Sequence, residues 1–440
     1  MESEIRVFPY DNGEIQRVQV VRLDGWEALD LLRPVPSDQA LDRFSEIYRL
    51  YLIPAAPWLF GNIVLFRLPE ELPLPLSRAG IHDPLTAAAL ELKQGLFFRQ
   101  GQPRFRNASA EALWDALRDR GCIRIVRGML PITTVIPVGN RAGFLTGTDP
   151  EARLKVNSSF FIMDPIDCRT PYDHVGTPFG LFVKDGNVVQ PPLFSREALL
   201  VRQDGRVTVE QPHVRDLAVK IGNHTFIHGQ NARFYSRPEH AFSPLGKQAL
   251  VIVGQRVEAV CPGRTGIPCS GFVVCPDVPC ELRPGETVTY GGMEQILFGI
   301  QVGNSILKDG VKTTRFLSRF YNIRKLWTTP FPPSLYPLDF RKAKAARIAL
   351  GADSEGKPML LWAEGAAKLG HIPGTDSCGA SLSDMARLCE AVGMVNAVNL
   401  DGGGSAQLLV NNRRSLMLSD RRQPDHTEAE RPVPLGLTVK

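Results

Sequence analysis

Val395-Asn396-Ala397-Val398-Asn399-Leu400-Asp401-Gly402-Gly403-Gly404-Ser405-Ala406-Gln407-Leu408-Leu409-Val410 is the stretch that decides how the rest of the chain is read. Its two apolar runs, at 395–400 and 406–410, have the length and residue types of buried strands. A carboxylate, three consecutive glycines and a serine separate them. Glycine in an element interior costs roughly 0.5–1 kcal/mol relative to alanine, so three in a row need a reason. One reason is a wide hairpin turn or bulge with positive φ. The other is a ligand: a bare main chain lets a guest approach, and its N–H groups form an anion-binding nest beside a strand-end carboxylate.

Working outward, Ser381-Leu382-Ser383-Asp384 reads as a capping box, with Ser381 as N-cap and Asp384 at the third helical position. Leu382, Met385, Ala386, Leu388, Cys389 and Val392 recur at helical spacing, and Gly393 supplies a left-handed stop. The order is therefore capped helix, buried strand, Asp-Gly-Gly-Gly-Ser, second strand, which sets Asp401 on a rigid scaffold. No Lys-Ser/Thr follows the glycines, which excludes a Walker-type phosphate loop.

The chain of 440 residues exceeds one ordinary core, so two domains are expected: a mixed α/β region at 1–120 and a larger strand-rich domain at 121–440, an α+β protein. Helices are expected around Leu41–Tyr51, Leu85–Phe97 and after Ser109 as N-cap, and most short strands fall beyond residue 121. Asp185-Gly186, Asp204-Gly205 and Asp309-Gly310 mark hairpin turns. The stretch 72–75 reads as a linker, and the proline-rich, aromatic segment 328–337 as an ordered loop or lid.

With 43% apolar and 22% charged residues the composition is that of a soluble globular protein. The net charge of +5 comes without a Lys/Arg stripe, so nucleic acid is not an expected partner. No apolar run approaches the ~18 residues of a membrane span, and no secretory leader is visible, so a cytoplasmic location is expected. Cys261, Cys269, Cys275 and Cys280 cluster without the spacing of a standard zinc site and read as buried thiols of a reducing compartment. His224 and His228 lack a nearby third ligand. No metal site or organic cofactor is expected, the need for a divalent cation being left open.

From about residue 150 to the end, the motifs together resemble the phosphodiester glycosidase family. Asn157-Ser158-Ser159-Phe160-Phe161 is similar to its Asn-Gly-Gly-Phe-Phe motif, with serines for glycines. Ile267-Pro268 with Ser270-Gly271-Phe272-Val273 resembles its Ile-Pro…Gly-Phe-Val segment. The loop from Gly303 through Gly310 resembles a Gly-Gly-Gly-Pro loop, with Gln301 and Val302 where glycines are usual. Arg347 stands in a Pro-Arg-Thr-Ala-x-Gly-like motif, and Glu364-Gly365-Ala366 where Asp-Gly-Arg is typical. Asn399-Leu400-Asp401-Gly402-Gly403-Gly404-Ser405 completes the series.

The resemblance implies a hydrolase that cleaves a sugar–phosphate bond in a small-molecule or glycan substrate carrying phosphate. The alternative is a non-catalytic carbohydrate- or phosphate-binding protein on the same scaffold. The phosphate monoester released is a good leaving group, so the site needs cationic or N–H donors for it and a carboxylate near the anomeric carbon. Arg347 is either the phosphate clamp or a structural ion pair. Asp401 faces the sugar as nucleophile or base, binds a cation, or caps an Asx-turn. Glu364 is a second acid, a sugar-hydroxyl acceptor, or a solvated charge. Asn157 bonds the sugar or orders its own turn. Gly303, Gly402, Gly403, Gly404 and Ser405 complete the expected substrate-binding set.

Overall fold

The computed structural model describes residues 1–51, 61–69, 81–128, 134–138, 142–163, 168, 170–194, 196–237, 239–313, 343–366, 371–419 and 428–440. The expected linker at 72–75 and loop at 328–337 lie outside them.

The strands that position the site are β1 (Glu2–Pro9), β2 (Ile15–Arg22), β3 (Asp30–Leu32), β4 (Leu154–Asn157), β5 (Ser305–Lys308), β6 (Val311–Lys312), β7 (Arg347–Ala352), β8 (Pro358–Ala363), β9 (Asn396–Asn399), β10 (Leu408–Val410) and β11 (Gly436–Val439). Seven form an antiparallel sheet in the order β1-β2-β8-β7-β9-β5-β6. Four more form a second antiparallel sheet, β10-β4-β11-β3. Every residue of β7 and β8 is buried, the pattern of strands covered on both faces.

Alternation divides their side chains between two cores. Ile348, Leu350, Leu360, Trp362 and Val398 meet Leu154, Val156, Leu408 and Leu437 of the second sheet, and Phe182, Leu199, Phe298 and Ile300 of a five-stranded sheet. Ala349, Met359, Leu361 and Ala397 face the other way, onto Met385, Ala386, Leu388 and Cys389. Fully burying each leucine, isoleucine, valine, methionine or phenylalanine among them contributes about 1.5–3 kcal/mol. The protein is strand-rich α+β, with α1 (Asp38–Tyr51), α2 (Pro84–Gly95), α3 (Ala108–Asp119) and α4 (Leu382–Ala391).

The amino-terminal strands belong to these sheets. β2 pairs along β8, and β3 along β11, so hydrogen-bonded ladders cross the expected division at residue 120. The strand Gly61–Phe66 crosses it too, pairing antiparallel with Ile123–Gly128 and parallel with Thr134–Pro137.

The two apolar runs flanking the glycines do form strands, but not a hairpin. β9 lies in the seven-stranded sheet and β10 in the four-stranded one. Asp401-Gly402-Gly403-Gly404-Ser405 is therefore a crossing between sheets. Two helix ends also differ from expectation. Asn107, not Ser109, caps α3, its Oδ1 accepting from Ala110 N–H at 2.8 Å; α2 stops at Gly95, and Leu96–Arg99 is a strand. The Asp-Gly turns at 185–186 and 309–310 have positive φ at both residues, as primed hairpins require.

The capping box on α4 is formed. Ser381 Oγ accepts the Asp384 N–H at 3.1 Å, and Asp384 Oδ2 accepts the Ser381 N–H at 2.9 Å. Gly393, at φ 95°, ends the helix. Burial opposes ionisation of Asp384, yet the bonds from Ser381 and Arg387 hold its carboxyl below the ordinary value. That stabilisation is full above the ordinary carboxylate pKa and fades as pH falls through the lowered folded value. Ser381→Ala is expected to cost about 1 kcal/mol at neutral pH and less once Asp384 is protonated. Urea unfolding across pH measures this; a loss independent of pH would contradict it.

Candidate active site

Asp401 leaves β9 where the ladder ends, and neighbours on both sides fix its main chain. Leu400 N–H still donates to Ile348 C=O at 2.8 Å. Asp401 N–H donates to Ser158 C=O at 3.0 Å, and Asp401 C=O accepts from Asn157 Nδ2 at 2.8 Å. Asn157 Oδ1 in turn accepts the Gln407 N–H at 2.9 Å. One side chain, itself only 1% exposed, thus holds both ends of the turn between the sheets.

The glycines have separate reasons. A Cβ on Gly402 would stand 2.9 Å from the Ala346 carbonyl oxygen, so that position demands a bare main chain. Gly403 alone of the three takes a positive φ, 62°. Its N–H donates to Ala346 C=O at 2.7 Å, while the Gly402 N–H donates to Asp401 Oδ1 at 2.9 Å. Two donors of the expected anion nest are therefore engaged within the protein. Ser405 is 1% exposed and closes a single 3₁₀ turn, Gly403–Ser405. Gly303 comes against the same strand end: its N–H donates to Asn399 C=O at 2.8 Å, and a Cβ there would lie 2.7 Å from that oxygen.

Arg347 begins β7 beside this turn, its Cα 3.7 Å from where a Gly402 Cβ would be. Its Nε donates to Ala380 C=O at 2.8 Å and one Nη to Ala343 C=O at 3.1 Å, which orients the guanidinium. Asn157, Gly303, Arg347 and the 401–405 turn are brought together at one end of the two sheets.

Glu364 follows β8, one residue past Ala363, the register partner of Arg347. Its carboxylate is turned to other partners: Oε2 accepts from Arg17 Nε at 2.8 Å and Ser377 Oγ at 2.6 Å, and Oε1 accepts the Met417 N–H at 2.9 Å. It ties four separate chain segments together.

Two residues that sequence reasoning passed over belong to the same place. Asn399 Oδ1 and Gln407 Oε1 are buried acceptors without a hydrogen-bond partner among the described residues. Buried polar atoms are rarely left unpaired, and such atoms beside a glycine turn mark a place for a hydroxyl donor or water. The available signal was a pair of amides inside otherwise apolar runs.

Among the described residues no group of three or more His, Cys, Asp or Glu side chains is placed to hold a metal ion. The four clustered cysteines do not share one core: Cys269 joins the core under the seven-stranded sheet, Cys275 a separate one that Cys261 packs against, and Cys280 lies against a third. His228 Nδ1 accepts the Phe234 N–H at 2.9 Å. No helix among the described residues is long and apolar enough to cross a membrane.

Residues 281–440 match the sequence profile of the phosphodiester glycosidase family, and over this stretch the chain resembles that family. The N-acetylglucosamine-1-phosphodiester alpha-N-acetylglucosaminidase of Mus musculus is 35% identical over 94 residues, which are 21% of this chain and 17% of that protein. The Homo sapiens protein of the same name is 35% identical over 89 residues, 20% of this chain and 16% of its own length. Among solved structures, a hypothetical protein from Synechocystis aligns with the whole chain and 62% of its own at 16% identity, TM-score 0.42. The catalytic domain of a zebrafish N-acetylglucosamine-1-phosphodiester alpha-N-acetylglucosaminidase, auto-inhibited by its pro-peptide, aligns with the whole chain and 82% of its own at 13% identity, TM-score 0.37.

Replacing Glu364 with Gln keeps the shape and removes the charge that faces Arg17. The expected loss of stability is about 1–3 kcal/mol, toward the lower end because the Arg17 side chain is 32% exposed. Urea denaturation measures it; a variant as stable as the parent would remove the tie from the account.

Proposed function

We propose that the protein is a hydrolase that cleaves a glycosyl phosphodiester, or a related sugar–phosphate bond, at the crossing between β9 and β10. The observation that carries this reading is the setting of Asp401. The acid is 9% exposed, its main chain is held by Asn157 and Ser158, and a bare glycine run follows it beside the strand that carries Arg347. Arg347, Glu364 and Asp401 all fall within the 281–440 match.

In this reading the sugar lies over the glycines with its anomeric carbon toward Asp401, and the phosphate lies toward Arg347. Asp401 acts as base on a water molecule or as nucleophile itself, and the C–O bond to phosphate breaks with its electron pair leaving on the phosphate monoester. Such a leaving group needs little help from an acid, so Glu364 can be spent on structure without stopping the chemistry. Asp401 would not face the phosphate, because like charges repel. We place the protein in the cytoplasm, a reading supported by eight cysteines that are all free thiols.

Binding without cleavage on the same scaffold draws support from Gln301. Its Oε1 accepts from Leu193 N–H at 2.9 Å and its Nε2 donates to Arg196 C=O at 2.7 Å, filling with a side chain a place where the family usually carries glycine. Release of free sugar from a panel of glycosyl phosphodiesters, beginning with an N-acetylglucosamine-1-phosphodiester, separates the two. Asp401→Asn is expected to lower turnover about 10²–10⁴-fold with the thermal unfolding midpoint unchanged. Binding of the panel without release by the parent protein would favour the second reading; unaltered turnover in the variant would remove Asp401 from the mechanism.

A further inference from the structure

β1 is an edge strand of eight residues that runs along β2 without a bulge, and no described strand pairs with its outer side. Such an edge is a template for another strand, and proteins that stay apart usually blunt it with bulges, short length or inward charges. β1 has neither a bulge nor a short length; its charges Glu4 and Arg6 lie on the half-buried face, while Ile5 and Val7 stand 51% and 54% exposed on the other.

Which main-chain groups are free follows from the ladder. The Arg17 C=O accepts from Glu364 N–H at 3.1 Å and the Leu23 N–H donates to Pro358 C=O at 3.0 Å, so the odd residues of β2 bond to the β8 side. Its even residues therefore bond to β1, where Val20 and Val18 are opposite Glu4 and Arg6. The N–H and C=O groups of Ser3, Ile5 and Val7 point outward. Pro9 lies on that outward set, where its missing N–H costs the ladder nothing.

We propose that β1 pairs antiparallel with β1 of a second copy of this chain, about a two-fold axis at Ile5, joining the two sheets edge to edge. In that register Ile5 faces Ile5, and Ser3 faces Val7 of the other copy. Each of these pairs exchanges two N–H···O=C bonds made by the outward groups. Glu4 then meets Arg6 of the other copy at the non-hydrogen-bonded positions, where side chains approach most closely. Moving the axis one residue either way sets Glu4 against Glu4 or Arg6 against Arg6, and like charges directly opposite are unfavourable. Charge thus selects one register. Within one copy Glu4 Oε1 accepts from both Arg6 Nη2 and Arg22 Nη1, each at 2.7 Å, which holds it on the strand, and the Glu4 and Arg6 side chains remain 41% and 38% exposed toward the second copy. The interface is isologous, the form that closes at a dimer.

Sedimentation equilibrium of the full chain over a concentration series tests this. The parent protein is expected to pass from 48.6 kDa to twice that mass. Glu4→Arg alone and Arg6→Glu alone should each weaken the dimer by about tenfold or more. Mixing these two variants in equal amounts should restore a heterodimer, because position 4 of each then faces an opposite charge at position 6 of the other. Val7→Pro removes an outward N–H without touching the ladder to β2 and should abolish the dimer while thermal unfolding remains cooperative. A parent chain that stays at 48.6 kDa throughout would overturn the proposal, as would a dimer indifferent to Val7→Pro or a mixture no better than its components.

Discussion

A single buried amide joins the seven-stranded sheet to the four-stranded one at the point where Asp401 leaves the first. Asn157 closes β4, and its side chain bonds the carbonyl of Asp401 at one end of the glycine turn and the N–H of Gln407 at the other. A crossing between sheets has no ladder of its own, so its polar main chain must be satisfied from outside. Asn157 and Ser158 supply that satisfaction from one sheet and Ala346 from the other. Three glycines are conformationally permissive without such ties; with them, the Asp401 N–H and C=O and the Gly403 N–H are all bonded.

The sheet behind the turn explains why it can be held. β7 and β8 are apolar at nearly every position because cores lie on both faces, and α4 seals one of them. Arg347 and Glu364 sit at the ends of these strands, still buried at 5% and 3% exposure but met by polar partners. Each is drawn into fixing the chain: Arg347 to the carbonyls before β7 and α4, Glu364 to Arg17 of the amino-terminal hairpin. The charged groups expected for chemistry are thus also those that tie remote segments to the central sheet. Truncating either one perturbs more than a reaction.

Much of this was legible in the residues. The capping box at Ser381, the stop at Gly393 and the strand after it follow from local rules, and the structure has all three. The runs on either side of the glycines are strands as their composition requires. Their partners were not legible, because a strand's sequence states which faces it buries and not which sheet it joins. β7 and β8 illustrate the harder case: with both faces buried no alternation remains to be read, and a short apolar run resembles a buried helix segment. β1 and β2 extend the same sheet as β8 across the division expected at residue 120, a pairing between residues more than three hundred positions apart that no local rule announces. Asn157 was legible as special through its motif, and its choice between bonding a sugar and ordering a turn needed coordinates.

The clamp is tested most directly by hydrogen exchange on Asn157→Leu, which keeps the approximate side-chain volume and removes both bonds. In the variant the Gln407 amide and the main chain around Asp401 are expected to exchange roughly 10- to 100-fold faster, while the amides of α4 keep their protection. Unchanged protection from 401 to 407 would contradict it, since the turn would then be held by something other than Asn157.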